Sequence, residues 1–416
     1  MNGNRIRASA FLFLCILVTT FPWLLFAYER ISAADLQQRG EIRVGHIRTA
    51  AGSVIDVHIM LGDVFHPRAT RRDLGFDLVA MSYYFDPVRL DDVDVLFGNP
   101  LLYSALSYAA RDEEEFDFFA ANLVNAVFQS RDGVNCFAWD GALANCEGDQ
   151  LVPYFWPAHG ASGSSGPLGV RHLGAIPLFD PSVAFGTIPD EDLRRRLQTN
   201  LRVAVRRTLE QAANEVDPPP RSVAFAALGS TSHTGGDSPA FLNFREGYFT
   251  LLRAVEQSRP HTALDRVYLV GFGEHTGIFL EETLQALLAV ADRFVVEDIM
   301  TGRWAGLMKG VTGLLLLGIS FLTYQNIQDI VRRRNRWVVS ATILTVTASL
   351  TAFVWSMALV VADVLPEFPK VVLTSYSAAA LAAVWSVLWA SKRLRIPDTL
   401  SNPRRRRRRL GTTTQP

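Results

Sequence analysis

Apolar and polar positions follow three regimes along the chain. Residues 8–28 carry no charge, residues 30–304 alternate short apolar runs with helical periodicity, and long apolar runs return beyond 304. In the middle regime the clearest pattern covers residues 190–216. Acidic residues open it, and Leu193, Leu197, Leu201, Val205 and Leu209 recur every four positions, which predicts a helix with one buried stripe. Pro218, Pro219 and Pro220 end it. Residues 113–128 place Glu113, Glu114 and Glu115 ahead of an apolar stripe and predict a second helix. Helices are also expected at 244–256 and 281–291. Compact apolar runs at 54–64, 76–84, 222–228 and 266–272 predict strands. Residues 156–174, rich in Gly, Ser and Pro, read as loop. Strands alternating with helices make residues 30–304 an α/β domain.

The flanking regimes predict a membrane protein. Residues 1–29 read as an N-terminal transmembrane anchor, or as a signal peptide cleaved after Ala34. Residues 305–391 hold three apolar segments, 307–324, 337–362 and 371–390, with Trp337 and Trp389 near segment ends. Residues 392–416 form a basic tail that includes Arg404 to Arg409. Arg5 and Arg7, the cluster Arg332, Arg333, Arg334 and Arg336, and the tail all agree with four spans. Short-loop cations stay cytoplasmic, so the α/β domain is expected outside the cytoplasm and the tail inside it. The expected location is a cell membrane, as a multi-pass protein with the lipid bilayer as a partner. Apart from Lys309 no charge lies within the spans, which argues against an ion path.

Charge narrows the partners. The formal net charge of zero hides an acidic middle: residues 30–306 carry 24 arginines and no lysine against 36 acidic residues, a balance of −12. Such a domain is not expected to bind nucleic acid. Three cysteines are too few for a disulfide framework. Cys136 and Cys146 bracket a loop and are either bridged outside the cytosol or two buried thiols. The eight histidines are scattered with no paired metal-ligand spacing, so neither a metal site nor a cofactor is expected. His58, on a strand, reads as a satisfied structural residue. His159 beside Ser162, Ser164 and Ser165 invites a hydrolase reading, but no G-x-S-x-G elbow surrounds those serines.

The stretch with most chemistry is Arg221 to Gly236. An apolar run opens into Gly229, Ser230, Thr231, Ser232, His233, Thr234, Gly235 and Gly236. Bare backbone N–H groups in such a loop can cradle a phosphate, with His233 a candidate to touch the anion; an ordinary surface turn has the same composition. Together with Leu61-Gly62-Asp63-Val64, Phe76-Asp77-Leu78-Val79 and Val267-Tyr268-Leu269-Val270, the order of pieces resembles a macro domain, the three-layer α/β/α module that binds ADP-ribose. The resemblance implies that Asp63 contacts the adenine and that Gly229, Ser230, Thr231, Gly235 and Gly236 wrap the phosphates. It places Phe272 near the ligand. Where the family carries Asn-Ala-Ala-Asn, this chain has Ala80-Met81-Ser82-Tyr83-Tyr84. The implied function is a membrane-anchored sensor or binding module for a nucleotide or other phosphorylated small molecule. The alternatives are a membrane-bound hydrolase of such a ligand and a scaffold with a degenerate pocket.

Overall fold

The computed structural model describes residues 24–85, 105–107, 109–138, 150–158, 169–179, 189–228, 242–259, 263–271, 278–302, 304 and 306–307. The chain divides into two compact units, Ile31–Val295 and a second made of Met1–Arg30 with Val296–Pro416. Among the described residues no helix is long and apolar enough to cross a membrane. Apart from residues 24–28 and 307, the four segments read as spans lie outside the described residues, as does the basic tail.

The unit Ile31–Val295 is α/β, built on a mixed seven-stranded sheet. Its strands are β1 (Glu41–Arg48), β2 (Val54–Leu61), β3 (Phe76–Phe85), β4 (Tyr154–Pro157), β5 (Val170–Phe179), β6 (Ser222–Phe225) and β7 (Arg266–Gly271). They lie in the order β1-β2-β7-β6-β3-β5-β4. The five inner strands are parallel, and β1 and β4 close the two sides as antiparallel edges. Parallel strands are usually covered on both faces, which selects near-continuous apolar runs. All four residues of β6 are buried, and so is β7 from Val267 onward.

The helices are α1 (Ala33–Arg39), α2 (Pro67–Thr70), α3 (Glu113–Ala138), α4 (Asp190–Glu215), α5 (Phe244–Gln257) and α6 (Ile278–Met300). α4 follows its periodicity: Leu193, Leu197, Leu201, Val205 and Leu209 are buried against β5 and α5. Each such side chain contributes about 2 kcal/mol of burial. α3 packs on β4, β5 and α4. α6 approaches the sheet where glycines leave room. A Cβ on Gly45 would come within 2.5 Å of the Phe294 ring, and one on Gly271 within 2.5 Å of Thr283. The Tyr248 hydroxyl of α5, fully buried, donates to the Val270 carbonyl at 2.9 Å.

Several expectations need correction. Residues 156–174, read as loop, contain the end of β4 and the first half of β5. β5 is a poor strand by composition, because Gly174 and Pro177 interrupt it. Pro177 is tolerated because it lies past the last pairing with β4, Tyr154 with Ala175, where one side of β5 is an edge. The strand expected at 222–228 stops at Phe225, where the Leu228 N–H turns back to the Ala226 carbonyl at 2.7 Å. β1 was not foreseen. α3 continues to Ala138 and α6 begins at Ile278 and runs to Met300, both longer than their patterns suggested. Ser32 to Asp35, not assigned to an element from the sequence, forms the capped start of α1. The Asp35 N–H donates to the Ser32 hydroxyl and the Ser32 N–H to the Asp35 carboxylate.

Candidate functional site

Three of the sequence-read segments leave the sheet side by side. β2, β7 and β6 are adjacent and parallel, so Gly62-Asp63, Gly271 and Ala226-Leu228 all emerge at the carboxyl edge. Neighbouring strands lie about 4.8 Å apart, which puts the β2 and β6 ends about 10 Å from one another with β7 between. The Gly62 N–H donates to the Gly271 carbonyl at 2.9 Å and ties two of these ends together. One strand further on, β6 meets β3. From β3 the chain proceeds toward β5, and from β6 it proceeds the other way, to β7. That divergence is a topological switch point, and in open parallel sheets ligands bind in the crevice it leaves at the carboxyl ends.

Asp63 stands at this edge, about one third exposed. Gly62 sets its direction with a φ of 156°, a conformation that a side chain resists, and a Cβ there would come within 2.3 Å of the Thr70 hydroxyl. The Asp63 carboxylate caps its own turn. One oxygen accepts from the Phe65 N–H at 2.8 Å, and the other faces His66 Nδ1 at 2.6 Å. Among the described residues each oxygen has one partner, which leaves a further lone pair on each.

Gly229, Ser230, Thr231, His233, Gly235, Gly236 and Phe272 lie outside the described residues. What is described is how the chain enters and leaves their segments. Leu228 is buried, and its carbonyl lies so close to Gly247 that a Cβ there would approach to 3.2 Å. After residue 241 the chain enters α5 through a reciprocal cap. The Glu246 N–H donates to Asn243 at 2.8 Å, and the Asn243 N–H donates to Glu246 at 3.2 Å. With a glutamate already seated there, the helix start is poorly suited to a phosphate, so amides of the preceding loop would have to hold one.

A second polar constellation lies between β1, β2 and the turn after α2. Glu41, with a side chain only 6% exposed, faces His58 Nδ1 at 2.5 Å, and its other oxygen accepts from Arg71. Arg71 also makes two bonds to Asp73, at 2.6 and 3.1 Å. The hydrogen bond from His58, its charge and that of Arg71 hold the Glu41 carboxyl below its usual range, against the opposing effect of burial. A carboxylate only accepts, so Nδ1 of His58 carries the proton. His58 is thus anchored through Nδ1 by a buried carboxylate. Its partner Glu41, 17 residues away, had no local signal, nor had Arg71, which bonds the other oxygen of Glu41.

Among the described residues no group of three or more His, Cys, Asp or Glu side chains is placed to hold a metal. Cys136, near the end of α3, is disulfide-bonded; Cys15 and Cys146 lie outside the described residues. Compared with models of known protein families and with curated protein sequences, the chain gives no match.

Proposed function

We propose that this is a multi-pass membrane protein whose three-layer, macro-like domain faces away from the cytoplasm and binds a nucleotide or other phosphorylated small molecule as a sensor or binding module. The observation that carries the reading is the convergence of Asp63, the chain leading into Gly229, and the chain leading into Phe272 on three adjacent parallel strands, of which β6 borders the switch point. In that arrangement Asp63 meets the base. Gly229, Ser230, Thr231, His233, Gly235 and Gly236 meet the phosphates through main-chain amides, and Phe272 packs beside the ligand. Binding is favoured over hydrolysis because β3 carries Ala80, Met81 and Ser82 where the resembled family places residues that position a ribose and a water. The disulfide at Cys136 favours an oxidising compartment, in keeping with the sidedness of the arginine clusters.

Titration calorimetry on the full chain in phospholipid-free detergent, with ADP-ribose and ADP as probes, tests the reading. Saturable heat is expected, with affinity falling about tenfold or more in Asp63→Ala, the scale of one lost hydrogen bond to a charged group. Absence of heat at millimolar ligand overturns it. Sidedness is tested separately by reporters fused after Pro416 and inserted near residue 160. Cytoplasmic activity of the second reporter refutes the external placement.

A further inference from the structure

A cleft of about 630 Å³ opens at the β1 side of the sheet, lined by Arg39, Glu41, Ile42, Arg43, His58 and Arg71. Its volume suits a small molecule. Asp63 is not among its lining residues, so its chemistry is independent of the carboxyl-edge reading. We propose that this cleft is a binding site for the phosphate group of a small soluble molecule, with the Nε2 of His58 and the guanidiniums of Arg39 and Arg43 as the groups that meet the anion.

The charges divide into fixed and movable ones. Glu41 is turned inward, and both its oxygens are engaged, by His58 and Arg71. It therefore presents little negative charge to the cleft. Arg71 is locked between Glu41 and Asp73, so its charge is taken up by those two carboxylates and the anion is left to Arg39, Arg43 and His58. Arg43 pairs with Asp56 at 2.7 Å, but the two side chains are 56% and 36% exposed, and such pairs are worth little. Its fork can turn toward an anion at small cost. Arg39 ends α1 in an exposed position, with its charge felt by Asp35 one turn earlier. Guanidinium forks match the oxygens of a phosphate better than a point charge does.

His58 supplies direction. Glu41 holds Nδ1, and the ring lies against Tyr268 with centroids 4.7 Å apart, so its plane is set from two sides. Nε2 makes no hydrogen bond among the described residues. With the proton on Nδ1, Nε2 accepts the O–H of hydrogen phosphate; once protonated, it donates to a phosphoryl oxygen. An imidazole oriented by a buried carboxylate, lining the same cleft as Arg39 and Arg43, is an arrangement that folding alone does not require.

The test is diethylpyrocarbonate labelling of the full chain in phospholipid-free detergent, with modification of His58 read by mass spectrometry. His58 is expected to react, and inorganic phosphate at ten times its Kd to slow the reaction about tenfold. Potassium chloride of equal ionic strength should not. Arg39→Gln combined with Arg43→Gln, both at exposed positions, should abolish the protection while the chain keeps its unfolding midpoint. The proposal is overturned if His58 does not react, if chloride protects equally, or if protection survives in the double variant. It is likewise overturned if phosphatidylglycerol vesicles protect and inorganic phosphate does not.

Discussion

Two aspartates at opposite ends of the parallel strands are used in opposite ways. Asp77, at the amino edge, is a closed junction. One oxygen accepts from the Arg221 N–H, the Ser222 N–H and the Ser222 hydroxyl at 2.9, 3.0 and 3.2 Å, and the other accepts from Arg171 at 3.0 Å. The Ser222 hydroxyl is also the acceptor for the Asp77 N–H. These bonds join β3, β5 and β6 across sequence separations of up to 145 residues. Asp63, at the carboxyl edge, bonds among the described residues only within its own turn, three residues away at most. The same side chain thus serves as a clamp where the strands begin and stays partly open where the loops leave. The amino edge is spent on stability, and the carboxyl edge keeps acceptor capacity in reserve.

The largest effect expected from breaking this contrast is at Asp77. Asp77→Ala leaves a guanidinium and three donors without their acceptor, and should lower stability by about 3 kcal/mol. Urea denaturation measures this, and a loss no larger than that of Asp63→Ala would erase the distinction. Next comes Gly62→Ala. Its positive φ and the contact with Thr70 should cost about 2 kcal/mol and turn Asp63 away from its present direction. If that variant kept wild-type stability and affinity, the glycine would have no role in aiming the carboxylate.

A smaller effect concerns acid. The folded-state carboxyl of Glu41 titrates below its reference value of 4.5. Its contribution to stability is therefore full above the unfolded value and is lost as pH falls from about 4.5 through the folded value. Glu41→Gln should flatten that limb of the stability curve, read as the urea midpoint between pH 5 and pH 3 (roughly the carboxylate range). An unchanged acid limb would remove Glu41 from the account. The smallest stability effect is at Asp63 itself. Asp63→Ala should cost under about 1 kcal/mol, since its bonds are local and partly exposed. Its consequence should appear in ligand affinity instead, which calorimetry on the same samples resolves.

How far the chain could be read depended on the range of the interactions. α4 was legible because a buried stripe at four-residue spacing is a local pattern, and Leu193 to Leu209 met it with burial throughout. β2, β3 and β7 were legible for a similar reason, as compact apolar runs. β5 was not, because Gly174 and Pro177 are acceptable only through the pairing geometry of β3 and β4, which local composition does not contain. The candidate site shows the same division. Asp63 and the glycine-rich stretch stood out as residue types in a run. Glu41, His58 and Arg71 did not, since they meet only when β1 folds back on β2 and the turn after α2 returns to it.

From the amino acids alone came the α/β alternation of the middle region, the helices with strong periodicity, the acidic balance of that region and the run of small residues after Leu228. Each of these depends on neighbours within about two helical turns or one strand. Strand order, the switch point between β3 and β6, the clamp at Asp77 and the arginine-lined cleft were decided by tertiary structure. They arise from pairings between residues far apart in the chain, whose closure is stabilised by the buried sheet rather than by any local preference.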